Sequence, residues 1–223
     1  NGNEEVAGLA FRSDEVHPND MFFCIVGTVV DGHSFAQDAI DRGATSLVAE
    51  RKVYLADATD VTEVVVSDSR KAMAYASANY YDNPSRAFSL VGITGTNGKT
   101  TTTYLVEHIA SVAGNRCGVI GTVGNKIAGV MEHAERTTPE SPDLQKLFAR
   151  MRDAGCTVVA MEVSSHALDL RRTWDTDFAV TAFTNLTQDH LDYHHTFDDY
   201  FEAKALLFSK DYPARRVISI DGS

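Results

Sequence analysis

Along this chain, short apolar runs alternate with segments of helical spacing. In the first part, MFFCIVG (21–27), TSLVAE (45–50) and EVVVSD (63–68) read as strands, while SFAQDAIDRG (34–43) and SRKAMAYASANYY (69–81) read as helices. The pattern predicts a small α/β domain over residues 1–85. Asp82-Asn83-Pro84-Ser85 is its natural boundary, because the residue before a proline leaves helical space and Asn and Ser favour turns.

The alternation sharpens over residues 86–223. A strand at 88–94 leads through a glycine-rich turn into a helix from Thr100 to Ala113, stopped by Gly114. Strand CGVIGTV, helix SPDLQKLFARMRDAG, strands CTVVAMEV and FAVTAFTN, helix FDDYFEAKALLFS and a last run RVISI follow. Strands alternating with helices imply a mostly parallel sheet, so the fold class expected is α/β, with a small amino-terminal domain before a P-loop-type domain. The sequence stops just after a strand-like run, and the second domain is therefore expected to be truncated.

Composition narrows the function classes. A net charge of −11 with scattered Lys and Arg argues against nucleic acid and anionic lipid as partners. No stretch approaches the roughly 20 apolar residues of a membrane span, and the start NGNEEVAGLA lacks the regions of a signal peptide, so a soluble cytoplasmic protein is expected. Cys24, Cys117 and Cys156 have no CxxC spacing and read as packing residues.

The strongest chemical signal is Gly95-Thr96-Asn97-Gly98-Lys99-Thr100-Thr101 between a strand and a helix. Glycines there let backbone N–H groups converge on phosphate oxygens, the helix start adds partial positive charge, and the lysine reaches the terminal phosphates. A hydroxyl after the lysine suits Mg²⁺. The general P-loop pattern fails, since Ile93 stands where it wants glycine and the glycines fall at Gly92 and Gly95. A GTPase is disfavoured, because Asn185-Leu186-Thr187-Gln188 does not match the base-reading motif.

Taken with later segments, this loop resembles that of the Mur ligases. Thr137-Thr138-Pro139-Glu140, then Met161-Glu162-Val163-Ser164-Ser165-His166-Ala167-Leu168, then Asn185-Leu186-Thr187-Gln188-Asp189-His190-Leu191-Asp192-Tyr193-His194, then Ala203-Lys204 and Leu207-Phe208 follow that family in order. The match spans most of 88–210 and is nearest the members that add the third residue of the peptidoglycan stem peptide. FRSDEVHPNDMFFCIVG and VDGHSFAQDAIDRGATSLVAE resemble more loosely the part that holds the uridine end of the substrate.

The resemblance implies an ATP-dependent ligation: a carboxylate of a UDP-N-acetylmuramoyl dipeptide becomes an acyl phosphate, which an amino acid's amine attacks. It implies ATP at Gly95–Thr101, Mg²⁺ on Thr100, Glu162 and His190, and Lys204 as a carbamate beside the second metal. Lys99, Glu162, His190 and Lys204 are the implied catalytic residues; Ser13, the loop Gly27–Val30, Thr137, Thr138, Ser164 and Arg172 are the implied substrate contacts. A monomer is expected. The family's third domain, which selects the amino acid, has no match here, so an amino-terminal and central portion without ligation activity of its own is expected.

Bland readings stand beside these. Glu162 alternatively caps a helix or turn, and Arg171 or Arg172 is alternatively a solvated charge. Asp189, His190, Asp192, His194 and His195 could be read as a zinc hydrolase cluster, but HExxH is absent. His194 and His195 read as polar turn residues, while His166 is open between supporting the site and filling the core. Arg136, where many relatives have Asn, and Leu170, where some have Gln, leave the substrate contacts less defined than the metal site. A folylpolyglutamate-type ligase and an inactive nucleotide-binding fragment are the rival functions. In Phe197–Ser209 the apolar stripe Phe197, Tyr200, Phe201, Leu207, Phe208 predicts that Lys204 faces inward.

Overall fold

The computed structural model describes residues 5–27, 29–56 and 61–219. It divides into two compact units, Asn1–Ser77 and Ala78–Ser223. The Asp82–Ser85 stretch lies just past that division.

The first unit holds a four-stranded sheet, all parallel, of β1 (Gly8–Ala10), β2 (Asp20–Phe23), β3 (Ser46–Ala49) and β4 (Thr62–Val65), in sequential order. The inner strands β2 and β3 are short and largely buried, which is why they read as continuous apolar runs, whereas β4 at the edge is mostly exposed. Phe22, Leu47 and Ala49 join Ala36 and Ala39 of α1 (Ala36–Asp41) in one cluster. Their neighbours Phe23 and Val48 point the other way and pack with Met73 of α2 (Ser69–Tyr80). A helix thus serves each cluster, and β1, too short to show a period, escapes sequence reading.

The second unit carries a seven-stranded sheet of β5 (Ser89–Thr94), β6 (Cys117–Gly121), β7 (Gly124–Ile127), β8 (Val130–Glu132), β9 (Val158–Glu162), β10 (Val180–Phe183) and β11 (Arg215–Ile218). The order is β11-β10-β5-β9-β6-β7-β8. The first five are parallel, as the alternation predicts, and β6-β7-β8 form an antiparallel meander at one edge. That meander is a departure from the sequence reading: its strands are three and four residues long and half polar, too short for a period to register. Residue Ile220 of the expected last strand lies outside the described residues.

The helices of this unit are α3 (Lys99–Val112), α4 (Ser141–Asp153), α5 (Ser165–Asp169), α6 (Leu191–His194) and α7 (Phe197–Ala205). Gly98 and Gly114, at φ +83° and +85°, bracket α3 in the left-handed region that glycine enters without strain. α4 begins with Ser141-Pro142 and buries Leu144, Leu147, Phe148 and Met151 at helical spacing. These meet Leu90, Ile120, Val159 and Met161 of the central strands in the main core.

Two expectations for the last helix need correction. α7 stops at Ala205 and continues as one 3₁₀ turn, Leu206–Phe208. The inward stripe is Tyr200, Lys204 and Leu207, whereas Phe197 and Phe201 are 43% and 47% exposed. Phe197 is the first residue of the nine-residue helix and Phe201 lies about 100° round the axis from Tyr200, so neither is covered as Tyr200 is. All three cysteines are buried and free, as packing residues should be. No described helix is long and apolar enough to cross a membrane.

Candidate active site

The strands β5, β9 and β10 all end at one rim, where doubly wound sheets place their ligands. A cleft of about 640 Å³ opens there. From β5 the chain enters the loop Gly95–Thr101. Gly95 has φ +145°, and a Cβ there would collide with Thr184 Oγ1. Gly92, by contrast, sits inside β5 against the Phe178 ring, so the displaced glycine serves packing.

Where the loop's backbone donors go decides what it can bind. Thr96 N–H donates to the Asn185 carbonyl at 2.9 Å, and Asn97 N–H to Asn185 Oδ1 at 3.0 Å. Asn97 O in turn accepts Asn185 Nδ2 at 3.1 Å and Thr184 Oγ1 at 2.7 Å. The two bonds to Asn97 agree on one orientation of the Asn185 amide. Lys99, Thr100 and Thr101 form the first turn of α3, whose N–H groups have no partner within the helix by geometry. The anion-seeking donors therefore lie at the helix start, and Thr96 and Asn97 are spoken for.

Lys99 Nζ donates to Gly95 O and Thr96 O, both at 2.8 Å. Burial lowers its pKa, opposed by the charges of Glu162 and Asp189. Thr100 Oγ1 donates to Glu162 Oε1 at 2.9 Å. Glu162 ends β9 and is 1% exposed, and its bonds to Thr122 at the β6–β7 turn leave the turn reading standing beside the metal one. It also accepts Thr122 N–H on Oε1 at 2.9 Å and Thr122 Oγ1 on Oε2 at 3.2 Å. Gly121 makes room, since a Cβ there would strike Glu162 Oε1.

On the far wall, Thr122 Oγ1 and Thr137 Oγ1 are 3.0 Å apart. Thr138 Oγ1 donates to Glu162 O at 2.9 Å and accepts Ser164 N–H at 3.1 Å. Ser164 caps α5. Arg172, buried, pairs with Glu140 at 2.8 Å and donates to Thr138 O at 3.1 Å. It is thus no solvated charge, and its structural duties hold Thr138 in place. Arg136 also lines the cleft, half exposed and 3.7 Å from Glu140; Leu170 is the C-cap of α5.

His190, at φ +52°, precedes α6 with its ring edge-on to His166 at 5.0 Å, and both line the cleft. His166 is therefore a cleft residue. His194 is a correction: it is buried, with Nε2 2.9 Å from Ser165 Oγ, because α6 turns it inward. Among the described residues no three His, Cys, Asp or Glu side chains are grouped to hold a metal.

Lys204 is 2% exposed; its Nζ donates to Gly95 O at 2.9 Å and lies 4.4 Å from the Tyr200 ring centre. Burial, and then the charge of Lys99, push its pKa down to about 7. The cleft thus gathers Thr96–Thr100, Thr137, Thr138, Glu162, Ser164, Arg172, His190 and Lys204, with Gly95 buried beneath. Thr101 is in the first turn of α3 but not on the cleft wall. Ser13 belongs to the first unit, where it lines a separate hollow of about 250 Å³ with Phe11, Phe22, Ile25, Val30 and Phe35. Within the loop Gly27–Val30, Gly27 N–H donates to Val30 O at 3.0 Å, and Thr28 lies outside the described residues.

Sequence reading missed Thr122, Asn185 and Tyr200 as parts of the site. Thr122 was legible in principle as a hydroxyl after a glycine at a strand end. Asn185 and Tyr200 act through contacts some 90 and 104 positions away, which no local pattern carries.

Comparison with known proteins identifies the family. Residues 93–222 match the Mur ligase middle domain, and residues 5–93 match the family described as Mur ligase family, catalytic domain. The UDP-N-acetylmuramoyl-L-alanyl-D-glutamate--2,6-diaminopimelate ligase of Geobacillus thermodenitrificans is 49% identical over 209 residues, 94% of this chain and 42% of that enzyme. Its Clostridium botulinum counterpart is 46% identical over 221 residues, 99% of this chain and 45% of the relative. A solved structure of a ligase of the same name superposes with a TM-score of 0.81 at 28% identity, covering 97% of this chain and 43% of that one. The chain spans less than half the length of the curated relatives it matches. With both its halves matched and its phosphate loop, buried glutamate and buried lysine on one cleft, this chain belongs to the Mur ligase family.

Proposed function

We propose that the cleft binds ATP and phosphorylates a carboxylate of a UDP-N-acetylmuramoyl dipeptide, so that an amino acid's amine can displace the phosphate and form an amide. The observation that carries this reading is the convergence of Lys99, Thr100, Glu162 and Lys204 on one cleft. Phosphoryl transfer asks little covalent chemistry of a protein; it needs positioning and charge neutralisation. The first turn of α3 and the Lys99 ammonium supply donors for the β- and γ-phosphates. Lys99 is held over the loop by two carbonyls, bonds it exchanges for phosphate oxygens.

The donor set fits Mg²⁺: a hydroxyl, Thr100, already touches a buried carboxylate, Glu162, and oxygen is what that ion prefers. Bound by Thr100 and Glu162, with His190 toward a second site, the ion would neutralise charge on the phosphates. Lys204 suits a carbamate. Its amine is buried and, with a pKa near 7, substantially neutral at neutral pH; neutral amine adds CO₂ with loss of one proton. Thr137, Thr138, Ser164 and Arg172 form the wall against which the dipeptide end lies, and the hollow around Ser13 receives the uridine end.

The relatives' names make 2,6-diaminopimelate the first amine to test. The rival, a folylpolyglutamate-type ligase, shares the phosphate loop but has no need of the first unit's hollow. Calorimetry with UDP-N-acetylmuramoyl-L-alanyl-D-glutamate and with dihydrofolate separates them. Binding of the nucleotide-sugar dipeptide, with none of the folate, is expected; the reverse would overturn the substrate assignment.

A further inference from the structure

We propose that Tyr200 is a positioning residue of the nucleotide site, holding the phosphate loop to α7 through Thr96. The inference rests on the phosphate-site reading above. Tyr200 and Lys204 lie one turn apart on α7, and both reach the loop. Lys204 Nζ donates to Gly95 O at 2.9 Å, and Tyr200 Oη lies 3.0 Å from Thr96 Oγ1.

Hydroxyl valence fixes the direction of the second bond. Thr96 Oγ1 donates its one proton to Thr187 O at 3.1 Å and accepts Thr187 N–H at 3.0 Å. A hydroxyl has one donor and two acceptor places, so Tyr200 must be the donor to Thr96. The three bonds fill the Thr96 hydroxyl, and Thr96 is only 9% exposed. Its side chain has no place left for a phosphate oxygen. Thr96 is instead the joint where the phosphate loop, α7 and the segment leading to His190 meet.

The two tethers differ in kind. Any use of the Lys204 amine in the cleft competes with its bond to Gly95. The Tyr200 hydroxyl makes no other hydrogen bond among the described residues, and the fully buried ring lies against Lys204 itself. Tyr200 therefore keeps the loop in place while Lys204 changes partners.

The test is a double-mutant cycle read by Mg·ATP affinity. Tyr200→Phe deletes one oxygen and Thr96→Val removes its acceptor. Tyr200→Phe should weaken Mg·ATP binding by about threefold or more, the scale of one net hydrogen bond, and should cost nothing further in a Thr96→Val background. Thr96→Ser keeps the hydroxyl and should lose less Mg·ATP affinity than Thr96→Val, so the difference between those two variants carries the test should Tyr200→Phe not fold. Thermal unfolding without nucleotide gives the structural control. A Tyr200→Phe protein that loses stability but, while folded, binds Mg·ATP like the parent would overturn the proposal, as would a full-size effect in the Thr96→Val background. If Lys99→Ala leaves Mg·ATP affinity intact, the phosphate-site reading itself fails; if only Tyr200→Phe is silent, this inference alone does.

Discussion

Lys204 shows how one residue's burial becomes a pH dependence. Its ordinary pKa is 10.5 and its folded value about 7, chiefly because burial disfavours the charged amine. Below about 7 it is protonated folded and unfolded, and the folded state carries the whole desolvation penalty. From there to 10.5 the unfolded chain holds a proton that the folded chain does not, so stability rises with pH across this window. Lys204→Met lacks that slope while other titrations cancel between the two proteins. In CO₂-free buffer the stability of the variant relative to the parent should be greatest near pH 6.5 and shrink by about pH 9, as urea unfolding would show. A difference that stays flat with pH would mean that the amine is not buried. That Lys204 faces inward was readable from helical spacing, since Tyr200, Lys204 and Leu207 share a face; that Phe197 and Phe201 stay half exposed was lost because spacing alone does not say how far the core reaches along and around that face.

At the scale of elements, the loop Gly95–Thr101 was legible because its chemistry is local: glycines, a lysine and hydroxyls between a strand and a helix. What holds it in shape was not legible. Thr184 and Asn185, just past β10, clasp Asn97 by three bonds, and α7 reaches Gly95 and Thr96. These are pairings across the sheet, visible only once β5 and β10 lie side by side. Asn185→Ala removes two of the three bonds and frees the Asn97 N–H, while the Asn97 carbonyl keeps only the Thr184 hydroxyl. Mg·ATP affinity should fall by about fivefold or more, the scale of one to two net hydrogen bonds, with the loop amides of Asn97 and Gly98 exchanging hydrogen faster. Parent-like affinity and exchange would show that the loop keeps its form without the clasp. The β7–β8 hairpin and α5 escaped for a different reason, being too short for any period to register.

For the whole molecule, the alternation of strands and helices was enough to expect two α/β units with parallel sheets. The order β11-β10-β5-β9-β6 then brings the ends of β5, β9 and β10 together, so residues from 96 to 204 meet in one cleft. The account's central claim is that this cleft is a Mg·ATP site organised by Lys99 and Glu162. Calorimetric titration of Mg·ATP into the parent and Lys99→Ala proteins tests it most directly. Because Lys99 is the side chain placed over both loop carbonyls and the start of α3, its loss should weaken binding at least tenfold, about 1.4 kcal/mol, with the fold unchanged; equal affinity in the two folded proteins would contradict the account.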